Sequence, residues 1–135
     1  AESPLPAVEA YRAQLAAARV PVADLAKTEV LSQSPDSYER FIAEERKPRR
    51  AAAEAALQLS PRPRMGDRVS YYITPKSKGR TADWQRARPL ALYDAQKEPY
   101  AVEYYLEKLD DWLERYGRFL GAPGRAPSGE QGELF

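Results

Sequence analysis

The chain has 135 residues, 21 basic against 20 acidic, and neither cysteine nor histidine. That excludes disulfides, thiol nucleophiles, imidazole bases and the usual zinc ligands, and the length suits one domain, or a fragment of one, with a single modest core. No apolar run approaches the roughly 18 residues of a spanning helix and the N-terminus lacks a signal-peptide core, so the expectation is a cytoplasmic, soluble protein with no membrane partner.

The net charge of +1 hides a segregation. Between Lys47 and Arg88 lie 11 basic residues against 3 acidic ones, a net +8, while the rest of the chain holds 10 against 17, a net −7. Such a block suits a surface facing a polyanion, and equally a solvated basic face with no partner.

Ser3-Pro4 predicts a helix start, and Leu5, Val8, Tyr11 and Leu15 supply one apolar face up to a stop at Val20-Pro21. Val22 to Leu31 fits either a short helix or an extended piece. Ser34-Pro35-Asp36 opens the next helix, with Tyr38, Phe41 and Ile42 as its apolar side. Pro48 begins another, continued by the helix formers from Ala51 to Leu59. This places Arg49 and Arg50 in a first turn, where free backbone N–H groups favour an arriving phosphate. An exposed arginine pair with no ligand is the plainer reading of the same residues.

Ser60 to Met65 reads as a stiff, proline-rich connector. Gly66 to Lys78 is the one run with clear two-residue alternation, a strand with Val69, Tyr71 and Ile73 on one face and Arg68, Ser70 and Tyr72 on the other. Lys76 to Asp83 is a basic loop, and Trp84 to Tyr93 is a candidate second strand returning antiparallel, held to an edge by Pro89. Trp84 is expected to pack rather than to stack on a base, and one of Tyr71 and Tyr72 to enter the core. From about Tyr100 to Leu120 an apolar stripe spaced three and four apart defines an amphipathic helix, expected to cover the strand. Asp110 and Asp111 diverge by about 100° on it, too far to converge on a metal. The fold class expected is α+β, mainly helical, with helices on a small two-stranded antiparallel hairpin over residues 1–120. Gly121 to Glu130 then reads as a flexible tether ending in Gln131-Gly132-Glu133-Leu134-Phe135, two apolar anchors and an amide that suit a short recognition peptide.

Three pieces in this order carry a resemblance: Pro48-Arg49-Arg50-Ala51-Ala52 opening a helix, Gly66-Asp67-Arg68-Val69-Ser70-Tyr71-Tyr72-Ile73 followed by lysines, and Tyr100-Ala101-Val102-Glu103-Tyr104-Tyr105-Leu106. The succession, over roughly residues 8–120, resembles the C-terminal thumb of family B DNA polymerases. The last five residues are similar to the sliding-clamp-binding peptide that ends the bacterial polymerase II branch of that family, with Gly132 where leucine is usual. The resemblance implies a domain that grips product duplex DNA through phosphates, with Arg49, Arg50, Arg68, Lys76, Lys78 and Arg80 as the contacting set and Arg62 and Arg64 as further contacts. It implies a bacterial sliding clamp held by Gln131, Leu134 and Phe135, a polymerase palm as covalent neighbour, and a place on the nucleoid. The aspartates that hold magnesium in such polymerases are missing from this sequence. No catalytic residue, metal ligand or cofactor is therefore assigned to it, and the magnesium belongs to the missing palm. A freestanding nucleic-acid- or clamp-binding adaptor is the alternative, and a small enzyme comes last, for want of a converging catalytic set.

Overall fold

The computed structural model describes residues 5–45 and 48–120. In these the protein is α+β and mainly helical, with six α-helices and one antiparallel sheet of three strands, ordered β1-β2-β3. The chain divides into two compact units, one continuous from Ala26 to Ala101 and one made of the flanking segments. No helix among the described residues is long and apolar enough to cross a membrane. The tether and the clamp-like peptide, residues 121–135, lie outside the described residues.

The flanking unit contains α1 (Leu5–Ala16), α2 (Val22–Leu25) and α6 (Val102–Leu120), with α1 packed on α6. Leu15, Tyr105 and Leu109 are buried there, as their helical spacing requires. Arg12 reaches across with both arms of its fork, Nε and Nη2 each 3.1 Å from one oxygen of Asp110. That hydrogen bond holds the Asp110 carboxyl below its usual range. The pair is exposed, so water and salt leave it a small contribution to stability. Among the described residues no cluster of acidic side chains could hold a metal.

Helix α1 stops earlier than Pro21 demands. Ala18 takes a left-handed backbone, φ 57°, and the N–H groups of Ala18 and Arg19 return to the carbonyls of Leu15 and Gln14. This is a Schellman closure, with alanine where glycine is usual.

In the central unit, α3 (Pro35–Ala43) begins as read, with Ser34 Oγ accepting the Ser37 N–H at 3.1 Å. The strand predicted from alternation is β2 (Arg68–Ile73), and it sits in the middle of the sheet. Gly66, at φ 90°, occupies the third position of the turn Arg64–Asp67, which the Asp67 N–H closes on the Arg64 carbonyl. The φ fits a type II turn. Gly66 and Asp67 together oppose Leu31, Gly66 donating to its carbonyl and Asp67 accepting its N–H. That is a bulge of the glycine-led kind, and it fixes the register in which β2 meets β1 (Lys27–Val30). Leu31–Asp67 being a bonded pair, Thr28 and Ser70 fall on a close, non-bonded pair, where their hydroxyls meet at 2.6 Å.

Three strands replace the hairpin of two that the sequence suggested. Lys27–Val30 has no strong alternation and stays largely exposed; its strand state comes from long-range pairing with β2, which local pattern does not carry. The segment expected as one strand from Trp84 to Tyr93 is divided into α5 (Asp83–Arg86), β3 (Ala87–Pro89) and a 3₁₀ turn, Leu90–Leu92. The helical turn forms because Gln85 Oε1 accepts the N–H groups of Thr81 and Ala82, while its Nε2 donates to the Gly79 carbonyl. Pro89 does lie on an edge strand. Bonded pairs alternate from Thr74–Arg86, so Pro89 falls at a non-bonded position, where an amide would point away from β2.

Helix α4 (Ala51–Ala56) lies on the sheet within this unit, packing on β2, β3 and α5. Ala52, Ala55 and Ala56 are buried, and such small side chains allow a close approach. Both tyrosines of the strand are buried, not one. Tyr72 meets Tyr93 edge-on, with centroids 5.0 Å apart, and donates its hydroxyl to the Glu98 carbonyl at 2.9 Å. At the strand's end Thr74 donates both its N–H and its hydroxyl to the Arg86 carbonyl, and the buried Arg86 donates Nε to the Thr74 carbonyl.

Burial pushes the phenols of Tyr38 and Tyr72 up from 10.0 to about 12, helped by Glu54 beside the first and Glu98 beside the second. Because the folded values are raised, this stabilisation is complete below pH 10 and is lost as pH rises through about 12. The urea midpoint should therefore hold steady toward alkaline pH and then fall across that interval. A Tyr72→Phe variant should fall less steeply, and absorbance titration of the phenolates checks the assignment.

Candidate nucleic-acid interface

The basic block is sorted by what its side chains do. Arg62 is committed to α3, its Nη1 2.7 Å from Asp36 Oδ1 and 3.1 Å from Glu39 Oε1. Arg88 gives Nε to Glu98 at 3.0 Å and Nη1 to the carbonyls of Gln85 and Ala87. Arg86 is buried at the end of β2. These three hold the fold together. By contrast Arg50, Arg64, Arg68, Lys76, Lys78 and Arg80 are exposed, with no carboxylate partner among the described residues.

Helix α4 begins at Ala51, so Arg49 and Arg50 precede it instead of forming its first turn. Arg50 is the N-cap in an extended conformation, and its backbone N–H donates to the Tyr38 hydroxyl at 3.0 Å. A six-residue helix opened this way offers little to a phosphate, and the anion-site reading of that turn is set aside. The consecutive arginines also part company. Arg50 lines a small cavity of about 20 Å³ with Val30, Leu31 and Tyr38. The Arg49 guanidinium lies over the Trp84 ring, 4.8 Å from its centroid, with Nη1 3.5 Å from Glu54 Oε2.

The predicted contacting set thus falls at two ends of the sheet. Arg68 opens β2 opposite Val30, close to the turn that carries Arg64. Six residues of strand, roughly 17 Å, separate it from the far end of β2. Beyond that end the chain makes a tight turn, Ser77 and Arg80 exchanging both backbone hydrogen bonds around Lys78 and Gly79. Gly79 sits at φ 78°, which a type II turn requires at that position. Lys76, Lys78 and Arg80 are therefore presented together on a short, hydrogen-bonded hairpin.

Arg80 and Trp84 also border an open polar cleft of about 430 Å³, completed by Glu54, Gln58, Gly79, Gln85 and Arg88. Sequence reasoning missed this cleft. Its only signal was a tryptophan just after a basic loop, and nothing in the sequence set Glu54 and Gln58 apart from their neighbours. Glu54 anchors the arrangement: its Oε2 accepts the Tyr38 hydroxyl at 2.6 Å and faces Arg49. Gln58 Nε2 donates to the Glu54 and Ala87 carbonyls. No protein-family model matches the chain, and no curated protein sequence matches it either.

Tyr38→Phe should remove both the bond to Glu54 and the acceptor of the Arg50 N–H. The cost of leaving these part-buried groups unpaired is about 1–3 kcal/mol, measurable as a lowered urea midpoint at unchanged slope.

Proposed function

We propose that this chain is the thumb of a family B DNA polymerase, a domain that holds product duplex DNA by its phosphates. The observation that carries the reading is the hairpin bearing Lys76, Lys78 and Arg80, three exposed cations without carboxylate partners among the described residues. Cations left unpaired are ones whose counterions a polyanion can displace, which is the sequence-independent source of affinity for nucleic acid. A turn closed by two backbone hydrogen bonds presents them at little further cost in order. Arg68 and Arg64, at the other end of β2, form a second contact group along the backbone; Arg50 shares a cavity with Val30, the partner of Arg68, and Arg49 lies over Trp84, which shares a cleft with Arg80. Polymerisation itself would reside in a palm, whose carboxylates hold magnesium and which is covalently joined to this domain. A cytoplasmic place on the nucleoid goes with this reading.

The tail completes it. Leu134 and Phe135 would fill an apolar pocket on a bacterial sliding clamp, with Gln131 hydrogen-bonded at its rim, as a few anchors do in a small interface. Gly132 gives up one apolar contact.

For the grip, duplex binding by the full chain should weaken steeply with salt. The Lys76→Ala, Lys78→Ala, Arg80→Ala triple variant should lower the slope of log affinity against log salt by about 2–3, since each lost phosphate contact removes about 0.9. A salt-independent wild type would sink the proposal. For the tail, Leu134→Ala with Phe135→Ala should abolish co-elution with a bacterial clamp; persistence of the complex would show the peptide to be misread.

A further inference from the structure

The proposed phosphate grip uses the tips of exposed cations and leaves the cleft beneath the hairpin unexplained. We infer that this cleft is a subsite for one unstacked nucleotide of single-stranded nucleic acid, its base lying on Trp84 and its phosphate on Arg80. This deepens the nucleic-acid reading and rests on it.

The geometry supports it in three ways. First, Trp84 is half-buried and lines the cleft, so part of its ring is accessible from that space. The Arg49 guanidinium lies over the ring 4.8 Å from its centroid and is not among the residues that line the cleft, so the cleft meets the ring where Arg49 does not. An indole already stacked with a guanidinium is held in place, and an ordered ring gives up little freedom when a base joins it. Second, the space is right. At about 430 Å³ the cleft lies within the range of roughly 300–1,000 Å³ typical of small-ligand sites, enough for a base and its sugar but not for a duplex.

Third, the polar groups are complementary to a nucleotide. Arg80 borders the cleft with no carboxylate partner among the described residues, as a phosphate site needs. Glu54 uses Oε2 for both Tyr38 and Arg49, and Gln58 uses Nε2 for two carbonyls. Glu54 Oε1 and Gln58 Oε1 accept nothing among the described residues, and they offer acceptors to the N–H edge of a base. The other cleft residues are occupied: Gln85 caps its own helical turn, and Arg88 is held by Glu98. A base inside a duplex has both faces covered by its neighbours and cannot use Trp84. Only an unpaired one can.

The test uses the full chain with Trp112→Phe, so that Trp84 is the one tryptophan remaining of two. A short oligodeoxycytidine and an abasic strand of equal length and charge are titrated at constant salt. The base-bearing strand should quench Trp84 emission saturably and bind roughly tenfold or more tighter than the abasic strand, which should not quench. Trp84→Ala should bring the two strands to equal affinity. The strand comparison needs no change at Trp84, so misfolding of the alanine variant would leave the result intact. Equal, salt-dependent binding of both strands with unchanged emission would overturn this inference while leaving the phosphate grip standing. Binding of neither strand, nor of duplex, would remove the grip itself.

Discussion

Strand β2 must satisfy hydrogen bonds on both of its edges while four of its six side chains are buried, and the arrangement of the central unit follows from that requirement. A buried strand with an open edge would leave backbone donors and acceptors without partners, at a cost of a few kcal/mol each. β1 closes one edge and β3 the other. Neither is a strong strand by composition; both are recruited. Where the ladder runs out, Thr74 and Arg86 continue it with side chains, three hydrogen bonds joining two residues that are 12 apart in sequence. The buried arginine at this point is a structural group, and its location inside the basic block shows why charge counts overstate a binding surface.

The same economy applies to the other cations. Among the described residues, most positive side chains of the block are either engaged in holding segments together or exposed without a carboxylate partner. Arg62 joins the proline-rich connector to α3 through two carboxylates, and Arg88 joins β3 to the segment around Glu98. Arg49 stands between these classes, since its partners are a ring and a distant carboxylate oxygen. What remains free is grouped at the two ends of one strand, a spacing set by the length of β2 and by the turns that flank it.

Much of the central strand and of the helices was legible because their signals are local. Alternation from Val69 to Ile73, the Ser34-Pro35 cap and the three-and-four spacing of α6 need no distant partner to be read. The pairing of the third strand was not legible, although an extended piece was one of two options for Val22 to Leu31, since Lys27 to Val30 alternates weakly and owes its conformation to residues some 40 positions away. Nor was the helical turn at Asp83–Arg86, which depends on one glutamine side chain capping backbone groups before it. The first turn of α4 was misplaced because Pro48 is a permitted helix start, but Tyr38 takes the Arg50 amide and the helix begins after it. At the site, the identity of the hairpin cations was readable and their grouping was not. Arg49 and Arg50 are neighbours in sequence and diverge in space, and the cleft joins Glu54 and Gln58 to Arg80 across three separate elements.

Pro89 shows what an edge strand can spare. Its side chain is fully buried, and at its non-bonded position a backbone amide would point away from β2, where no carbonyl of that strand could accept it. The residue that belongs there fills space and brings no donor of its own. Any other residue would carry an N–H into the interior in need of a partner, and an imino acid removes that need along with the proton.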